Sequence, residues 1–138
     1  MYKAIREIRD TFVAKGLKHS VDEVGGAWVL RAGVSGDAAS YSFLFIKQDD
    51  EDNDVSLRVF DVVKFPEHKK DKGLEVLAKL GRQYRFIRFA MNDEGEVNAE
   101  YDFPMEFSPI GEGAFEMMVR FTDILDNCYP ELMRAIWA

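Results

Sequence analysis

Apolar residues at positions 5, 8 and 12 (Ile5, Ile8, Phe12) recur at spacings of three and four, with Met1 one turn earlier. Lys3, Arg6, Glu7, Arg9 and Asp10 fill the positions between them. That period predicts a helix over residues 2–15, ended by Gly16, where a left-handed residue costs least. The pattern then changes. AWVLRAGV (27–34), SYSFLFIKQ (40–48) and DVSLRVFDVVK (54–64) are rich in β-branched and aromatic residues and predict three strands. In the second, Phe43 and Phe45 point one way and Leu44 and Ile46 the other. FPEHKKDKGLEVLAKLG (65–81) returns to helical spacing, with Pro66 in its first turn, Leu74, Leu77, Ala78 and Leu80 as its stripe, and Gly81 closing it.

Two more strands, 84–91 and 97–103, flank the turn NDEGE. The second alternates, with Val97, Ala99, Tyr101 and Phe103 inward and Asn98, Glu100 and Asp102 outward. A sheet with one wet face follows, and therefore an antiparallel one. The last third is helical: Ala114, Met117, Met118, Phe121, Ile124, Leu125 and Cys128 form a broad stripe. Pro130 predicts a kink, or the start of a second short helix carrying Leu132, Met133, Ile136 and Trp137. The element order is α-β-β-β-α-β-β-α, an α+β fold with helices packed on an antiparallel sheet.

The 138 residues predict a single domain spanning 1–138, long enough to bury a core without staples. The longest uncharged run, residues 38–46, is far shorter than the roughly 20 residues a membrane-spanning helix needs. A lone cysteine, Cys128, allows no internal disulfide and predicts a reducing, cytoplasmic home. A net charge of −7 repels phosphate backbones and argues against a nucleic-acid partner. The charge is uneven: residues 64–91 carry eight basic and three acidic groups. Lys69, Lys70 and Lys72 within that stretch read as a solvated helix face.

The acidic run QDDEDND (48–54) lies between two strands and reads as a hairpin tip kept in water by its own repulsion. As a calcium loop it fails: counted from Asp50, the sixth position is Val55 and the twelfth Asp61, and flanking helices are missing. His19 and His68 have no second histidine or cysteine at ligand spacing, so no metal site is expected. No serine is framed by nucleophile-elbow glycines, and neither Gly25-Gly26 nor GEG (111–113) forms a phosphate loop. Glu100 and Asp102 share a strand face, but solvated strand carboxylates are commoner than catalytic pairs. No catalytic residue, cofactor site or enzyme activity is expected.

The surplus in this sequence is apolar. Four of the six methionines (Met105, Met117, Met118, Met133) fall near the C-terminus, amid Phe107, Phe115, Phe121, Tyr129 and Trp137. Core filling explains many of these, but one helix cannot hide the whole set against a small sheet. The candidate partner contacts are Met117, Met118, Phe121, Tyr129, Met133 and Trp137.

The run from Phe65 to Met105, followed by FTDILDNCYPELMRAIW, resembles the YbjN domain family of bacterial proteins. Its ordered features are a proline-started helix, an aromatic-rich strand, an Asp/Gly turn, the YDFP strand end, and a Tyr-Pro near the end of the last helix. Gly81 stands where the family often has Asn, and both tolerate a left-handed helix end. The resemblance implies a fold like that of type III secretion chaperones, which are dimers that bind extended client segments. It also implies a regulatory label carried by some members, sensory transduction, and no transferable catalytic residue. The expectation is a protein-interaction module, chaperone-like or regulatory and acting as a homodimer on a protein client; the alternative is a regulatory domain that binds a small ligand.

Overall fold

The computed structural model describes residues 1–49, 54–104 and 109–138. Helix α1 (Lys3–Ala14) buries Ala4, Ile5, Ile8 and Phe12. It ends in a Schellman motif: Gly16 has φ +70°, its N–H donates to Val13 O, and the Leu17 N–H donates to Phe12 O. The chain then forms strands β1 (Ser20–Val24), β2 (Ala27–Ser35), β3 (Ser40–Lys47) and β4 (Asp54–Lys64). A 3₁₀ turn (Glu67–Lys69) leads into helix α2 (Lys70–Gln83), followed by β5 (Arg88–Met91), β6 (Glu96–Pro104) and helix α3 (Ile110–Trp137). The order matches the one read from the sequence, with β1 added between α1 and the first expected strand.

The six strands form one antiparallel sheet in the order β1-β2-β3-β4-β6-β5. β1 had no signal because SVDEV is mostly exposed; it exists by pairing with β2 across Gly25-Gly26. Helices cover one sheet face. There Leu30, Phe43, Phe45, Leu57, Ala99 and Phe103 pack with Ile5, Phe12 and Phe121 in the main core. A second, smaller core joins Phe65, Val76, Leu77, Leu80 and Val97 to Cys128, Leu132 and Ala135.

Three local expectations change. The apolar stripe of α2 is Gly73, Val76, Leu77 and Leu80, while Leu74 stays 52% exposed: the inward edge is the i, i+3, i+4, i+7 row that starts at Gly73, where the missing side chain lets the helix approach Phe65 and Met91. Gly81 lies inside α2, which continues to Gln83. Of the two alternatives at Pro130, the second short helix falls away: α3 runs through the proline for 28 residues. Pro130 lies on the exposed side, where helix hydrogen bonds lengthen most easily, and the buried Cys128 and Leu132 hold the turns around it. β4 also carries a bulge between Val59 and Val63, with Asp61 at φ 55° and its N–H donated to Asn98 Oδ1 at 2.9 Å. The bulge leaves Phe60 48% exposed. Residues 50–53 of the acidic tip, with Met105 and Phe107, lie outside the described residues. No helix is long and apolar enough to cross a membrane, among the described residues.

Candidate functional site

The six residues expected to meet a partner separate along α3. Met117, Met118 and Phe121 sit in the main core, Phe121 beside Phe43 at 6.3 Å between ring centroids. In this fold they offer little surface to a partner, because α1 and the sheet already cover that side of the helix. Tyr129 and Met133 are half-buried at the rim of the second core, and Trp137 is 79% exposed. The spacing of 129, 133, 136 and 137 puts these residues on one stripe, so Ile136 joins them. Beside Trp137 and Ile136 opens a cleft of about 710 Å³, with Pro66, His68 and Lys69 on its far wall.

The uncovered sheet face is built differently. One transverse row crosses all six strands: Ser20, Arg31, Leu44, Arg58, Glu100 and Arg88. Arg58 bonds Asp102 Oδ1 at 2.7 Å and lies 3.5 Å from Glu100 Oε2, while Arg88 reaches Glu100 Oε1 at 2.5 Å. These contacts tie up the two carboxylates that share a strand face. Burial pushes the Asp102 carboxyl up, but the hydrogen bond and charge of Arg58 outweigh it and hold the group below its usual range. Leu44 is 9% exposed although no helix covers it, because it lies between Arg31 and Arg58, whose stems can lie over it.

Just ahead of β5, between the sheet edge and α3, Phe86 is 41% exposed. It meets Tyr101 edge-on at 6.3 Å, and the Arg120 guanidinium lies 5.2 Å from its ring centre. Two clefts flank it. One of about 200 Å³ runs along Arg85, Arg88, Tyr101 and Asp102; the other, of about 400 Å³, runs along Tyr84, Arg85, Arg120 and Asp123. Sequence reading placed this segment in a strand and missed the site, since the residues come from three separate elements.

Asp126 was also missed. Its carboxylate accepts from the Tyr41 hydroxyl at 2.7 Å and from the N–H groups of Asp37 (2.9 Å) and Ala38 (3.0 Å). It thereby clamps the β2–β3 turn onto α3. A side chain at Gly36 would collide, since a Cβ there would lie 2.5 Å from Asp126 Oδ1. Desolvation pushes the Asp126 carboxyl up, but these donors outweigh it and lower it overall. Burial and the Asp126 contact push the Tyr41 phenol upward. No sequence signal announces the clamp, because a lone aspartate beside an apolar stripe reads as outer-face polarity.

Cys128 is fully buried, and burial pushes its thiol up to about 11, so it stays protonated at neutral pH. His19 contacts Leu17 O at 2.8 Å and meets Phe12 edge-on. His68 lines the C-terminal cleft. Among the described residues no three His, Cys, Asp or Glu side chains gather as a metal site would require.

Residues 6–132 match the YbjN family, described as "Putative bacterial sensory transduction regulator". The fold is similar to that of a solved E. coli protein described as "YbjN, a putative transcription regulator", with a TM-score of 0.59 over 92% of both chains at 10% identity. At that identity the likeness speaks to fold. No curated protein matches the chain in sequence. The family match covers nearly the whole chain, and the chain belongs to the YbjN family.

Proposed function

We propose that this chain is a non-catalytic, cytoplasmic regulatory module that works through protein contacts and pairs with a second copy of itself through the end of α3. The observation that carries this is Trp137, 79% exposed on a stripe with Tyr129, Met133 and Ile136. A large aromatic residue left in water beside half-buried apolar neighbours fits a self-complementary contact. The regulatory part rests on the family description, "sensory transduction regulator". A chaperone-like role, holding an extended client, fits a fold with an uncovered sheet face and two free sheet edges. The buried, protonated Cys128 and the ion-paired Glu100 and Asp102 are engaged in structure and leave their chemistry unused.

Multi-angle light scattering on the full chain tests the pairing. The expected mass is about twice 15.8 kDa, falling to 15.8 kDa in Trp137→Ala. A strict monomer in the wild type at high concentration overturns it. One observation favours the small-ligand alternative: a groove of about 280 Å³ walled by Leu17, Val34, Phe115, Met118 and Val119, with Thr122 and Asp123 at its rim. A metabolite that raises the melting temperature of the wild type and not of Val119→Arg would move the reading there.

A further inference from the structure

Among the described residues β5 ends the sheet and pairs only with β6, so one side of its backbone has no strand beside it there. Free edges accept extended chains through main-chain hydrogen bonds. The charge around this edge selects the chain. From Val76 to Asn92 the sequence carries Lys79, Arg82, Arg85 and Arg88 and no acidic residue, in a protein of net charge −7. Lys79 pairs with Glu131 and Arg88 with Glu100, while Arg82 and Arg85 are exposed and form no ion pair among the described residues. Arg85 and Phe86 form the ridge between the two clefts, with Arg88 beyond one and Arg120 beyond the other.

A second copy is a poorer occupant of this edge: antiparallel pairing of residues 85–91 centred on Arg88 would set two Arg88 side chains opposite each other, and like charges across a strand pair repel. A nucleic-acid strand is also a poor one. It needs a continuous positive track, whereas Asp102 and Asp123 interrupt the clefts on either side. An acidic peptide in extended form places carboxylates at every second residue, which discrete arginines can meet.

We propose that the β5 edge binds an extended acidic segment of a partner protein as an added strand, its carboxylates on Arg85 and Arg88 and one apolar side chain against Phe86. This rests on the reading of the chain as a protein-interaction module and adds the chemistry of its partner.

The probe is a short acetylated, amidated peptide alternating Glu and Thr around one central Leu. It is titrated into the full-length, isotope-labelled protein and followed by amide chemical shifts. The expected result is binding with shifts concentrated in residues 85–91, weakened at least about tenfold by Arg85→Glu and weakened as salt rises past about 0.2 M. Phe86→Ala is expected to weaken it as well, and Trp137→Ala to leave it unchanged. The proposal is overturned by no binding at millimolar peptide, by equal binding to Arg85→Glu, by shifts centred on residues 129–137, or by tighter binding of a single-stranded oligonucleotide of equal charge. A monomeric chain that still binds the peptide would sink the pairing at the end of α3 and leave the edge site standing. A dimer that ignores the peptide would do the reverse.

Discussion

The two halves of α3 look alike in sequence and live in different surroundings. Between Ile110 and Leu125 the apolar stripe meets α1 and the sheet, and its large side chains fall to a few per cent exposure. Beyond Cys128 the inner positions Leu132 and Ala135 are still buried in the second core, but Tyr129, Met133 and Ile136 stay half-buried at its rim, and the stripe ends on a tryptophan in water. The difference lies outside the helix, in how much covering surface the rest of the fold supplies at each level. A stripe is interior where the fold covers its full width, and its rim stays half-exposed where that cover narrows. Periodicity therefore reports that a helix has an apolar face, and the neighbours decide what the face is for.

The largest effect that sharpens this contrast comes from the interior half. Phe121→Ala removes a fully buried ring, and equilibrium denaturation is expected to show a loss of about 3–5 kcal/mol. Leu132→Ala probes the second core from the other half, with an expected loss of about 2–4 kcal/mol. A loss at Leu132 below about 2 kcal/mol would show the second core to be looser than its burial implies.

Asp126 sits between the halves and ties the β2–β3 turn to them. Asp126→Ala leaves the buried Tyr41 hydroxyl without its acceptor, at an expected cost of about 1–3 kcal/mol. The pH dependence follows from the lowered carboxyl. The clamp contributes fully above the unfolded-state value near 3.8 and is lost as pH falls through the lower folded value. Wild-type stability measured by urea titration should therefore drop below about pH 4 more steeply than that of Asp126→Asn. Parallel curves for the two proteins would show that the carboxylate carries no linkage. The smallest effect belongs to the exposed end: Trp137→Ala should change the stability of the isolated protomer by no more than about 0.5 kcal/mol. A multi-kcal/mol loss in thermal unfolding of the dilute protein would mean the residue is structural after all.

Much of the fold was legible because its periods are clean. Ile5, Ile8 and Phe12 announce α1, and the alternation of Val97, Ala99 and Phe103 announces β6. β1 escaped because an edge strand exposed on both sides has no apolar period to show. Leu74 misled because a leucine within helical spacing was taken as inward, whereas the row from Gly73 through Val76, Leu77 and Leu80 faces the core, with Gly73 against Phe65. At Pro130 the sequence left two outcomes open, and packing of Cys128 and Leu132 on either side of it goes with one continuous helix. At the candidate site, the sequence exposed the apolar surplus but not its division between core and surface. The Asp126 clamp and the Arg–Phe edge are assembled from residues far apart in the chain, which no window along it can join.

Hydrogen exchange on the wild-type protein, at low and at high protein concentration, reads both halves of α3 in one experiment. The account predicts that amides of residues 129–137 gain protection as concentration rises, while those of residues 114–125 are already slow and do not change. Exchange at 129–137 that is indifferent to concentration, or a gain confined to another surface, would contradict the claim that the end of α3 is where two copies meet.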